Sequence, residues 1–389
     1  MATYYVRTDG NDSNAGTGTG TGQAWATIGK ALGATGIASG DTVYIKPGIY
    51  EELVTVAIGA TAETQVIGDT DGAVFGTKGE VIWSAFTAGD DSAPTGVPCT
   101  LNGQDYITFR RLTFYGDDVN GNPSCISASA ATSTNCKVEQ CVFAQQGPGN
   151  SGGGSRAIQI LVTNSVSTYW TIDRCVFVGR QTGVYLDTRS LSTGSDWNSE
   201  LEIKNCLFLN STDAIGGASN VGGNIASRAS HGKVTNCTFF GNARAVRFTN
   251  AGGWSTTNGI AVRNCLIYSN TSAGLEATSS GQITSDYNRI IDNNVNYTNV
   301  TAGANDITTG IFGLDLGAGL IQDGLDRDFW MPSQTINPAA DTSIQPSVDI
   351  LGESRTGTST IGAYLDTDII PAGGGGLLVH PGMTGRVNG

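Results

Sequence analysis

Four side chains in this sequence have types that could work together: Tyr185, Asp187, Arg247 and Glu276. An aromatic ring, a guanidinium and two carboxylates can grip a sugar, or can divide the acid and base roles of a bond cleavage. The plain alternative is an ion pair between Arg247 and Glu276 on a protein surface. Asp117 and Asp118, with Asn120 and Asn122 just behind, offer oxygen ligands to Ca²⁺, although their spacing is not that of an EF-hand. There are only two histidines. His231 falls in a turn near Arg228 and His380 lies close to the C-terminus, and no GxSxG elbow accompanies them, so a Ser-His-Asp triad is not expected.

Tyr185 and Glu276 are some 90 residues apart, so the fold must bring them together. The stretch His231-Gly-Lys-Val-Thr-Asn-Cys-Thr-Phe-Phe-Gly-Asn242 shows how. Related segments are centred on Leu112, Cys141, Cys175, Cys206, Cys237 and Cys265, at steps of 29, 34, 31, 31 and 28 residues. A nearly constant step with insertions marks a solenoid. Within one unit, Val234 and Phe239 are both apolar at an odd spacing, which a flat strand cannot keep on one face. The chain must therefore bend at Asn236-Cys237, and Asn suits a bend. After it comes Gly241-Asn242, with Asn210 and Asn270 as the expected equivalents. A further short strand begins about nine residues past each cysteine: Gly183–Leu186, Ala214–Ile215, Ala245–Phe248, Gly274–Ala277. Short strands separated by Asn/Gly corners describe an all-β parallel β-helix, each coil hydrogen-bonded to the next at roughly 4.8 Å. With Val184, Ile215, Val246 and Leu275 inward, Tyr185, Gly216, Arg247 and Glu276 form one outward column. Asp187 points the same way, Arg244 lies at the edge, and Gly216 leaves a gap.

The 55 glycines and 14% charged residues suit a turn-rich β protein. A net charge of −13 excludes the basic stripe a nucleic-acid binder needs. No apolar run reaches membrane-spanning length. No signal peptide is expected from the first residues. Five cysteines recur at one repeat position. Stacked equivalents stand a strand spacing apart, wider than the ~3.8 Å between Cβ atoms of a disulfide. A line of thiols is also no tetrahedron for zinc. The expectation is a buried thiol ladder, consistent with assembly in a reducing compartment.

Along the chain, residues 1–52 read as a cap with first strands, including a short amphipathic helix over 24–33 with Trp25, Ile28 and Leu32 on one face. Such a helix would plug the open first coil. Residues 53–292 read as coils, and 293–366 as C-terminal coils and cap. A Gly-rich linker and tail occupy 367–389. The tail is apolar (Leu377, Leu378, Val379, His380, Pro381, Met383) and is expected to be ordered by docking. Tyr4-Tyr5-Val6, the Asp9–Gly16 loop, Ala24–Leu32 and Gly40–Tyr50 together resemble the opening of the pectate-lyase-like right-handed β-helix superfamily. Ser285-Asp-Tyr-Asn288 resembles its late-coil motif. Asp349–Gly352, Arg355 and Ile361–Tyr364 resemble its closing segment.

The resemblance implies a single-stranded right-handed parallel β-helix. It leaves function open, because that superfamily holds lyases, hydrolases, adhesins and phage spikes. Lyases on this fold use a Lys or Arg base and often Ca²⁺, and hydrolases use paired carboxylates. Lys137, Lys204 and Lys233 lie outward on the repeated strand, Lys30 and Lys46 belong to the cap region, and none is marked out as a base. The leading expectation is a non-catalytic structural protein of a phage virion, a capsid decoration or tail spike. By analogy it is a homotrimer that meets other virion proteins through its tail and has no cofactor. The alternatives are a polysaccharide lyase or hydrolase acting around Arg247, with Ca²⁺ as a possible ligand, and an extracellular bacterial adhesin.

Overall fold

A computed structural model describes residues 1–85, 96–116, 124–128, 131–145, 155–163, 168–179, 182–190, 199–219, 230–250, 260–278 and 280–309. Asp117, Asp118, the closing segment and the whole C-terminal tail lie outside the described residues.

The coil around Cys237 shows how the sequence sets the path. Ser230–Thr235 forms a strand. Asn236 then takes φ 50°, the left-handed region, and turns the chain in a single residue. Thr238–Phe240 is the next strand, and Gly241 at φ 66° makes the second corner. Arg244–Asn250 is the third strand, after which the chain returns to Ile260–Arg263, one coil on. The first corner is always the residue before the cysteine position: Arg111, Gln140, Arg174, Asn205, Asn236, Asn264 and Tyr287 all have φ between 50° and 56°. The second corner is taken by Gly179, Asn210, Gly241, Ser269 and Asp292. Asn210 is therefore the equivalent of Gly241, one place before the position of Asn242. Ser211 stands in register with Asn242, whose Oδ1 accepts from its backbone N–H at 2.9 Å.

Repetition of this coil builds three parallel sheets of 10, 9 and 9 strands. We call them sheet I (from Thr3–Val6 to Ile283–Asp286), sheet II (Gly48–Glu51 to Arg289–Ile291) and sheet III (Val54–Thr55 to Val295–Thr298). Equivalent residues stack. Phe114, Phe143, Phe177, Phe208 and Phe239 form a column with successive ring centroids 5.2, 5.0, 4.5 and 4.9 Å apart and planes within 7° of parallel. Burying a Phe contributes about 1.5–3 kcal/mol, and aromatic pairing adds about 0.5–1.5. A second column runs Val66, Phe109, Val138, Ile172, Ile203, Val234 and Val262 on sheet I.

All eight cysteines are buried free thiols. In the ladder each Sγ lies near two carbonyls and under the next amide: the Cys175 amide donates to Cys206 Sγ, and that of Cys206 to Cys237 Sγ, both at 3.5 Å. Burial pushes the Cys141, Cys175, Cys206 and Cys237 thiols well above their ordinary pKa and Cys136 up to about 12, and the buried ladder acts as apolar filler. Asn288 ends the ladder, its Oδ1 accepting from the Cys265 amide at 2.9 Å. A second ladder of Asn242, Asn270 and Asn293 lines the sheet II to sheet III corner, with amide to Oδ1 distances of 3.1 and 3.0 Å.

The expected helix is shorter than its pattern. Only Ile28–Leu32 is helical. Asp12 Oδ1 accepts from the amides of Ala26 and Thr27 at 2.8 and 3.0 Å, and Trp25 pairs with Val6 as a parallel bridge. This holds the segment before the helix extended. Thr27 caps the helix, accepting from Lys30 N at 3.0 Å. Glu52 accepts from the amides of Ile28 and Gly29 at 2.8 and 2.7 Å. At the far end Asp306 gathers Ser285 Oγ (2.5 Å), the Asn288 amide (2.9 Å) and Tyr297 OH (2.9 Å). The Ser285–Asn288 motif is thus tied to the last described turn. Among the described residues no helix is long and apolar enough to cross a membrane.

Candidate functional site

Sheet III carries the expected column. Gln159, Tyr185, Gly216, Arg247, Glu276 and Thr298 are successive register partners. Three residues earlier on the same strands runs a second column: Arg156, Thr182, Asp213, Arg244 and Ala273. Parallel pairing in constant register is what brings these distant positions side by side.

The charges close into a ring. Arg244 Nη1 meets Asp213 Oδ1 at 2.8 Å and Arg244 Nε meets Glu276 Oε2 at 3.1 Å. Arg247 Nη1 meets Asp213 Oδ2 at 3.3 Å, and its Nε lies 3.3 Å from Glu276 Oε1. That last pair is close enough for attraction but is not aligned as a hydrogen bond. The Asp213 carboxyl is pushed above the usual aspartate range by burial, which outweighs the opposing pull of Arg244 and Arg247. Two coils before Asp213, Arg156 places its guanidinium carbon 3.8 Å from the centroid of Tyr185 on the intervening coil, a cation–π contact that covers one face of the aromatic ring. Ser124 Oγ donates to Gln159 Oε1 at 3.0 Å.

The sequence-derived candidates sort out as follows. Arg247 and Glu276 are in contact, and Arg244, expected at the edge, holds both carboxylates. Tyr185 belongs to the same column but is stacked with Arg156. Asp187 lies on the strand, paired in register with Leu161 and Ala218; its side chain is outside the described residues. The gap at Gly216 is narrow, since an added Cβ would meet Asp213 Cβ and Thr182 Cγ2 at 3.4 Å each. Asp213 was missed because strand alternation counted back from the inward Ile215 places it inward as well. Arg156 was missed because the insertion after Cys141 moves its strand from nine to some seventeen residues past the cysteine.

The lysines are mostly engaged. Lys137 Nζ pairs with Glu63 at 3.0 Å and Lys204 Nζ with Glu202 at 2.8 Å. Lys46 Nζ lies 3.9 Å from Asp9, and Lys30 Nζ donates to Thr35 at 3.0 Å. Among the described residues no three His, Cys, Asp or Glu side chains converge as metal ligands. The Asp117-Asp118 pair proposed for Ca²⁺ is outside that set.

The comparisons agree with this architecture. Residues 156–310 match the family described as "Right handed beta helix region". The solved structure of pectate lyase Pel9A is similar over 94% of this chain and 96% of its own, at 15% identity and a TM-score of 0.51. Pectin methylesterase PemA from Erwinia chrysanthemi is similar over 80% and 93%, at 9% identity and a TM-score of 0.33. A rhamnogalacturonan lyase is similar over 79% and 87%, at 12% and 0.32. No curated protein matches the sequence. In fold, this chain is a pectate-lyase-like right-handed parallel β-helix.

Proposed function

We propose that this chain is a non-catalytic β-helix of a virion, of the decoration or tail-spike type, that contacts polysaccharide through the outer face of sheet III without cutting it. The closed ring carries this reading. All four carboxylate oxygens of Asp213 and Glu276 face a guanidinium nitrogen, at 2.8 to 3.3 Å. Neither acid is left to exchange a proton with a substrate, and neither arginine is left as a base. A net charge of −13 disfavours polyanions, so the preferred glycan is neutral. Fold relatives named as a pectate lyase, a pectin methylesterase and a rhamnogalacturonan lyase support a polysaccharide partner. Eight unpaired buried thiols support assembly in a reducing compartment, as a virion protein requires. Docking through Leu377–Met383 and a trimeric state belong to the same proposal.

A second reading, a polysaccharide lyase or hydrolase, is favoured by one detail: Arg247 Nε is buried without an aligned acceptor. One experiment separates the two. Neutral and acidic polysaccharides are incubated with the full chain, then assayed for new reducing ends and for unsaturated-uronate absorbance. The binding reading expects neither signal, and a neutral-glycan affinity that falls several-fold in Arg247→Ala. Turnover that disappears in Arg247→Ala would establish the enzyme. Light scattering of the full chain tests the trimer.

A further inference from the structure

Sheet I carries a cleft of about 390 Å³ on a different face of the solenoid, within the size range of small-ligand sites. Three successive strands line it: Thr168–Asp173, Ser199–Lys204 and Ser230–Thr235. Register places Tyr169 beside Glu200, and Thr171, Glu202 and Lys233 in one row. Trp170 lies between Tyr169 and Thr171, turned inward, and its indole N–H donates to Ser133 O at 2.9 Å. The strand that carries Tyr169 and Thr171 is therefore fixed from beneath.

Two independent observations point to a ligand. The first is the cleft. The second is that four polar groups lining it have no side-chain partner among the described residues. Glu202 is taken by Lys204 at 2.8 Å. Among the described residues, the Tyr169 phenol, the Thr171 hydroxyl, the Glu200 carboxylate and the Lys233 ammonium have no side-chain partner.

We propose that this cleft binds a short stretch of neutral glycan. The uncommitted charges are one carboxylate and one ammonium, so the site is balanced and favours a ligand without net charge. Glu200 accepts sugar hydroxyls, Lys233 donates to sugar oxygens, and the Tyr169 ring offers an apolar surface to a pyranose face. This inference does not depend on sheet III.

Calorimetric titration of the full chain with β-1,4-xylohexaose, β-1,4-glucohexaose and α-1,4-glucohexaose tests it, with hexagalacturonate as the charged control. At least one neutral hexasaccharide is expected to show a binding component that is weakened tenfold or more in Tyr169→Ala and in Glu200→Gln and is unchanged in Arg247→Ala, separate from any component that Arg247→Ala weakens on sheet III. Tyr169→Phe, which keeps the ring, retains binding and guards against a folding artefact. The proposal is overturned if none of the three binds, if Tyr169→Ala removes no binding component, or if hexagalacturonate binds more tightly than they do. Loss confined to Arg247→Ala would place the glycan on sheet III, which removes this site and leaves the reading of that face standing.

Discussion

Sheet III around Arg247 and sheet I around Glu200 hold nearly the same chemistry: an aromatic ring, two carboxylates and two cations. They use it in opposite ways. On sheet III the signs alternate up the stack, with Asp213 on one coil, Arg244 and Arg247 on the next, and Glu276 on the third. Coils a strand spacing apart let each charge meet its opposite, and the ring closes. On sheet I, Glu200, Glu202 and Lys204 all share one strand. Lys204 takes Glu202, and among the described residues Glu200 and Lys233 have no side-chain partner. The same composition is a structural clamp in one arrangement and an available site in the other.

The largest difference should appear on truncation at neutral pH. Asp213→Ala leaves two guanidiniums without their shared anion and is expected to cost about 2–4 kcal/mol in chemical denaturation. Glu200→Ala should stay within about 0.5 kcal/mol. Equal losses would break the contrast. Next come double-mutant cycles. The Arg244/Glu276 pair should couple by about 1 kcal/mol, because both groups are largely shielded, whereas the more exposed Lys204/Glu202 pair should give about 0.2–0.5.

The response to pH should differ in sign. Burial raises the Asp213 pKa in the folded state. Its contribution is fully present below the unfolded value of about 3.9 and is lost as pH rises through the raised folded value. Asp213→Asn should therefore remove a downward slope of stability just above about pH 4. Glu63, on the sheet I side, is lowered chiefly by its hydrogen bond from Lys137. Its contribution is present above the unfolded value of about 4.3 and is lost as pH falls through the lowered value. Lys137→Met should remove that acid-side loss. The smallest effect is expected at Gly216→Ala. Its new Cβ would touch Asp213 and Thr182 at ordinary contact distance, so the melting temperature should shift by no more than about 2 °C. A large drop would show that the ring tolerates no added methyl group.

Much of this was legible in the sequence. The odd spacing from Val234 to Phe239 announced a corner, and the structure puts it on Asn236 at φ 50°. The outward column Tyr185, Gly216, Arg247 and Glu276 follows from strand alternation plus constant register, and the pairing reproduces it. Other parts were less visible. Arg156 was hidden by an insertion that breaks the count from Cys141. The helix was overextended because the apolar pattern of residues 24–33 fits a helix, while Asp12 draws the amides of Ala26 and Thr27 elsewhere. Asn210 was misaligned because Asn serves both as a left-handed corner and as the adjacent ladder residue.

By itself the sequence determined the repeat, the corners, the inward and outward faces and the fate of the thiols, because these follow from local spacing. Only the tertiary structure decided which charges meet. Lys204 and Lys233 both read as outward on the repeated strand, yet Lys204 is spent on Glu202 while Lys233 has no side-chain partner among the described residues. Arg244 looked peripheral, yet it bridges both carboxylates of the ring. Pairing depends on distances of a few ångströms between side chains on neighbouring coils, and residue spacing along one chain does not carry that information.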